Sequence, residues 1–299
     1  MLLFLNTVTN WLLFLSLAIV TGVVIGRWTI LGDPWEGGDP LLREARVTAA
    51  RWGGLATLAL SVALVLVFWR QLIEFRDPFA PLSEDVHLLL RGTPWGTAWI
   101  LAMADTLVIG VSFALVARGR AGAWWPVTVT GLAVGAFPAL TGHANTGDLR
   151  AVTLVADTFH VWAAGGWIGG LGLVLLLDHR HGRADRVGAT GILPTLVSRF
   201  SPVAMAGVAT LIVTGGFASW VQLGGIEAVF GTPYGRLLVL KLAVVGVVLA
   251  LGGWNYKKLT PRLGEESGRG AMRRSASLEF LVANVVLVVT AILVRTSRM

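Results

Sequence analysis

Residues 142–177 read GHANTGDLRAVTLVADTFHVWAAGGWIGGLGLVLLL, and this stretch decides the fold. From Ala151 to Leu177 it exceeds the roughly 20 apolar residues that one bilayer crossing needs. It lacks the period-two alternation of a strand. Hydrocarbon offers a peptide group no partner outside its own helix, so the run must be helical. Yet it carries Asp157 and His160, groups that are costly in a membrane and default to functional hypotheses. They stand three residues apart, on one helix face. Gly165, Gly166, Gly169 and Gly170 form overlapping small-xxx-small pairs, which let a second helix backbone approach or leave room for a flat cofactor.

Outward from this run, the chain repeats the pattern. Apolar segments lie near 8–31, 47–69, 95–117, 122–142, 151–177, 200–222, 236–256 and 276–294. The 299 residues are 55% hydrophobic and 14% charged, against about 25% charged in soluble domains. Mean hydropathy is +0.73. A water-soluble globular enzyme and a disordered chain are both excluded. The expectation is an all-α polytopic membrane protein of eight transmembrane helices, a single domain over 1–299. Most tryptophans fall near proposed helix ends, the headgroup level that suits an apolar ring with a wet N–H. Trp162 and Trp167 are the exceptions, well inside the fifth segment.

Lys and Arg give the orientation. Sixteen of the 24 fall in the loops joining segments 1–2, 3–4, 5–6 and 7–8. That side is predicted to be cytoplasmic, which puts both termini in the periplasm. The basic excess marks cytoplasmic loops, and no nucleic-acid partner is expected. The first segment lacks a basic n-region and an A-x-A site, so it is not read as a cleaved signal peptide. No lipidation signal stands out. Between segments two and three, Ser83 to Arg91 is expected to form a short interfacial helix with Ser83 as N-cap.

Chemistry rests on few residues. Cysteine is absent, so disulfides, thiolate metal sites, iron–sulfur clusters and cysteine nucleophiles are excluded. No Ser–His–Asp set or paired carboxylates stand out, so no enzyme is expected. No phosphate-binding loop is present, so this chain alone is not expected to pump with ATP. Intramembrane candidates are Asp105, His143, Asp157, His160, Lys241 and Glu279, with His87 in an external loop. His87, His143 and His160 all belong to the periplasmic half, where neutral imidazoles can ligate copper, haem iron or zinc. Asp157 could bind metal or fix the His160 tautomer. His160 lies roughly 13 Å below the start of its helix, so His143 and His160 share one ion only if that helix projects above the bilayer. Otherwise they form successive stations. A purely structural hydrogen-bonding role remains the alternative for each histidine. His179 and His181 are expected to be solvated in a cytoplasmic loop. Lys241 is expected to snorkel outward. With three non-terminal methionines (Met103, Met205 and Met272), a methionine-rich Cu(I) relay is not expected.

Ordered blocks then carry a resemblance. His143/Ala144, Asp157 to Leu171 (D-x-x-H-x-x-A-x-G-x-W-x-G-G-L), Arg199–Ser201, Thr214/Gly215, Thr232 to Lys241, Asn255 to Pro261 and Arg273 to Glu279 resemble the CopD (copper resistance protein D) family. The likeness is strongest at 140–299; earlier residues match by hydropathy alone. It implies copper handling in the bacterial inner membrane, beside a periplasmic copper carrier of the CopC type. The metal stations would be His143, His160, Asp157 and His87, with inward import or delivery of copper. Two other functions fit the same residues. One is a b-type haem electron carrier, with two histidines as axial ligands. The other is a non-transporting subunit that assists assembly of a copper enzyme.

Overall fold

The computed structural model describes residues 2–32, 40–142, 149–182, 191–223 and 227–296. No strand occurs among them. Among the described residues, eight helical stretches are long and apolar enough to cross a membrane: Phe4–Thr29, Leu41–Phe75, Pro94–Ala117, Ala121–Thr141, Arg150–His181, Leu193–Leu223, Pro233–Arg262 and Glu266–Leu293. They are the first to eighth spans below.

Several spans run past the apolar cores read from sequence. The second continues to Phe75, the seventh to Arg262, and the eighth begins at Glu266. Their extra turns carry Arg, Lys and Glu, which hydropathy discards but which extend a helix freely once it leaves the hydrocarbon. The interfacial helix is Leu82–Arg91, with Glu84 and Asp85 in its first turn. Its N-cap is Pro81, with no side-chain cap, and not Ser83. The proline's fixed φ of −61° suits the position just before a helix, so the helix starts earlier than a serine cap would place it.

The first span is the hub. It packs against the second, fourth, fifth, sixth and eighth spans. It and the fifth are the most enclosed spans, whereas the seventh leans mainly on the eighth and exposes most of its surface. The glycines of the fifth span explain how first and fifth come so close. A Cβ on Gly169 would lie 1.8 Å from the carbonyl oxygen of Ala18, and one on Gly165 would lie 1.7 Å from Thr21 Oγ1. The Gly165 and Gly169 face is therefore filled by the first span, the packing use of small residues.

Polar latches tie the helix ends together. At one end of the bundle, Arg70 donates to Asn10 Oδ1 (2.7 Å), Asn10 donates to the Ala291 carbonyl (3.2 Å), and Arg295 pairs with Glu74. The start of the first span, the end of the second and the end of the eighth thus meet on one face. At the opposite end, Arg273 grips Asp178 with two bonds of 2.6 and 3.0 Å. There Arg199 donates to the Ile30 carbonyl (3.1 Å) and Arg46 to that of Leu31 (3.0 Å). An even number of crossings, with both chain ends on one side, follows from these contacts.

Candidate functional site

Two of the expected site residues, Asp157 and His160, sit on the fifth span, three residues apart and both half-buried. His160 Nδ1 lies 2.9 Å from Thr214 Oγ1 of the sixth span. The Thr214 hydroxyl donates its hydrogen to the Thr210 carbonyl (2.7 Å). A hydroxyl has one hydrogen, so Thr214 must accept from His160, and Nδ1 carries the proton. In the neutral ring this leaves Nε2 with its lone pair, the form an imidazole needs to bind a metal. The Thr214 and Val213 side also borders a shallow apolar groove of about 720 Å³ between the fifth and sixth spans.

Lys241 lies on the seventh span. It is half-buried and makes no ion pair inside 4 Å among the described residues. His160 and Thr214 bring the fifth and sixth spans together beside Asp157.

The other expected residues stand apart. His87 is exposed on the interfacial helix, which packs on the second and third spans. His143 lies outside the described residues. Among the described residues no group of three or more His, Asp or Glu could hold a metal ion. His179 and His181 are in the last helical turn of the fifth span, not in a loop. His179 is exposed, but His181 Nε2 is 3.0 Å from Thr48 Oγ1, so only the first of the two is simply solvated.

A second polar cluster lies further along the fifth span. Trp167 is seven residues beyond His160, about 10 Å along the helix axis. Its Nε1 donates to Glu279 Oε1 (3.3 Å), and Asn255 Nδ2 donates to Glu279 Oε2 (2.8 Å). Trp167 and Asn255 both occupy π-helical turns, Gly165–Gly169 and Asn255–Leu259. The other interior tryptophan, Trp162, donates to the Leu132 carbonyl (3.0 Å) of the fourth span. Both internal tryptophans thus satisfy their N–H inside the bundle, the condition for burying the ring.

The sequence signalled Glu279 and Lys241 only as ionisable groups inside spans. The partners Asn255 and Thr214 stood within the quoted blocks but could not be paired across helices. A buried amide on the neighbouring helix has no periodicity linking it to its carboxylate.

The fold and these clusters define a class, a polytopic helical membrane protein with ionisable groups stationed along its interior. The comparisons carry this further. The model of the family described as copper resistance protein D (CopD) matches residues 194–293. Copper resistance protein D of Pseudomonas syringae pv. tomato is 26% identical over 277 residues, covering 91% of this chain and 87% of that protein. Copper transport protein CutJ of Bacillus subtilis (strain 168) is 25% identical over 205 residues, 67% of this chain and 36% of that protein. No solved structure matches. The resemblance to CopD read from the sequence holds, and the first of these alignments extends it beyond the C-terminal blocks. The family match itself covers the last three spans, so Thr214, Asn255 and Glu279 fall inside it and Asp157 and His160 do not.

Proposed function

We propose that this chain handles copper in the bacterial inner membrane, passing it inward from the periplasm, and that it is not an enzyme. What carries the reading is the His160–Thr214 pair: a neutral imidazole, its tautomer set by a threonine on another helix, inside a bundle whose relatives are named for copper. Copper is the cargo. His160 would be the intramembrane station, with Asp157 beside it to draw a cation in. His87 and His143 would serve as entry ligands on the periplasmic side, where a soluble carrier of the CopC type would deliver the metal. Copper suits imidazole nitrogen better than the hard oxygen donors of calcium or magnesium sites.

The haem reading gains no support from the glycine stripe, because the first span fills the space a porphyrin would need there. The assembly-subunit reading is separated from transport by whether copper crosses.

His160→Ala should abolish copper accumulation by cells that depend on this protein, with membrane levels unchanged. His179→Ala, exposed at a helix end, is the control and should behave as wild type. Copper bound per folded protein and cellular uptake are both measured. Wild-type values for both in His160→Ala would overturn the site, and loss of a Soret band would replace copper with haem.

A further inference from the structure

Glu279 is 4% exposed, yet no Lys, Arg or His reaches it within 4 Å among the described residues. Its oxygens instead accept from two neutral donors, Trp167 Nε1 and Asn255 Nδ2. An isolated buried negative charge is among the most costly groups in a membrane interior, so it takes up positive charge. Asn255, itself 7% exposed, holds its Oδ1 buried with no partner. That oxygen is the acceptor a protonated carboxyl would need. Two π-helical turns converge here, a rare feature that clusters at functional sites. A Cβ on Gly252, one turn before Asn255, would sit 3.3 Å from Glu279 Oε1, so the glycine leaves clearance beside the carboxylate.

The occupant that fits is a proton. The donor set is one carboxylate and one amide oxygen, with no imidazole or sulfur to suit copper. The charged groups on the helices packed against Glu279 are engaged or turned elsewhere. Asp178 is held by Arg273, Lys257 and Lys258 are exposed, Lys241 stands fourteen residues before Asn255, about 21 Å along the seventh span, and Arg27 donates to the Gly32 carbonyl.

We propose that Glu279, gripped by Asn255 and Trp167, is a proton-binding site that releases its proton when a cation occupies the His160 station. In the loaded form the Asn255 amide is turned over, and the carboxyl O–H donates to Oδ1. On release the O–H bond breaks, its electron pair stays on the carboxylate, the proton goes to solvent water, and the amide returns to the arrangement seen here. The coupling is electrostatic. His160 is about 10 Å along the fifth span from Trp167, which holds Glu279; a unit charge at a separation of about 10 Å, at an effective dielectric near 20, favours release by roughly tenfold. The coupling rests on the copper reading; the proton site itself does not.

Infrared difference spectroscopy of the purified full chain tests it. In metal-free protein, the carbonyl band of a protonated carboxyl should disappear as pH rises. At a pH where the band is half-lost, adding Cu(I) should diminish it further. Glu279→Gln should lack this band. Trp167→Phe and Asn255→Ala each remove one hydrogen bond and should shift its frequency, which keeps the assignment testable if Glu279→Gln folds poorly. Absence of a titrating band assigned to Glu279 overturns the proposal. So does a band that follows pH but ignores bound copper. If the wild type binds no copper, the copper reading fails on its own, and the pH titration of metal-free protein still decides the proton site.

Discussion

His160 depends on Thr214 for its chemistry more than on its depth. The hydroxyl has spent its hydrogen on the Thr210 carbonyl, so it holds the imidazole with Nε2 unprotonated. Thr214→Val keeps the volume and removes the acceptor. Copper affinity of the purified protein should fall by about 10–100-fold, the usual loss when a ligand's supporting hydrogen bond is removed. Asp157→Asn should fall within the same range, less than His160→Ala, because it removes a neighbouring charge and leaves the imidazole in place. Equilibrium dialysis with copper measures both. Unchanged affinity in Thr214→Val would show that the ring orientation is set elsewhere.

At the scale of elements, the contact between the first and fifth spans is the tightest in the bundle. Gly22 and Gly169 bring backbone against backbone, with a Cβ on Gly22 only 2.4 Å from the carbonyl carbon of Gly169. A backbone cannot rotate out of the way as a side chain can. Gly169→Val should therefore reach or exceed the upper end of the roughly 1–3 kcal/mol typical of overpacking. Gly216, with nothing within 4 Å of an added Cβ, is the contrast, and Gly216→Ala should leave stability unchanged. Thermal unfolding in detergent and the yield of monodisperse protein report on both. Equal stability of the two variants would mean the first span can shift away from the fifth, and would argue against the hub arrangement.

For the whole molecule, the latches at the two ends divide the loops into two faces. Asn10, Arg70 and Arg295 mark one face; Asp178, Arg199 and Arg273 mark the other. The excess of Lys and Arg lies on the second, which predicts that face to be cytoplasmic. A reporter that works only in the periplasm, fused after Met299, should be active, and the same reporter within 264–270 should be silent. The reverse pattern would place His160 in the cytoplasmic half and remove the reason for inward passage from a periplasmic carrier.

The sequence by itself determined the number and type of the elements. Eight long apolar runs admit one structural solution in hydrocarbon, and the helix count followed from length alone. It also marked which residues carry chemistry, since Asp157, His160, Lys241 and Glu279 stand out wherever charge is expensive. Its errors came where polarity stops being informative. Ser83 is a good capping residue, but the chain enters that helix through Pro81. Only the tertiary structure decided who meets whom. Helical periodicity links residues three or four apart on one helix, so it can pair Asp157 with His160. It carries no term for the rotation of one helix against another. That rotation, fixed by the glycine contacts between the first and fifth spans and by packing on the eighth, set Thr214 against His160 and brought Trp167 and Asn255 onto the two oxygens of Glu279.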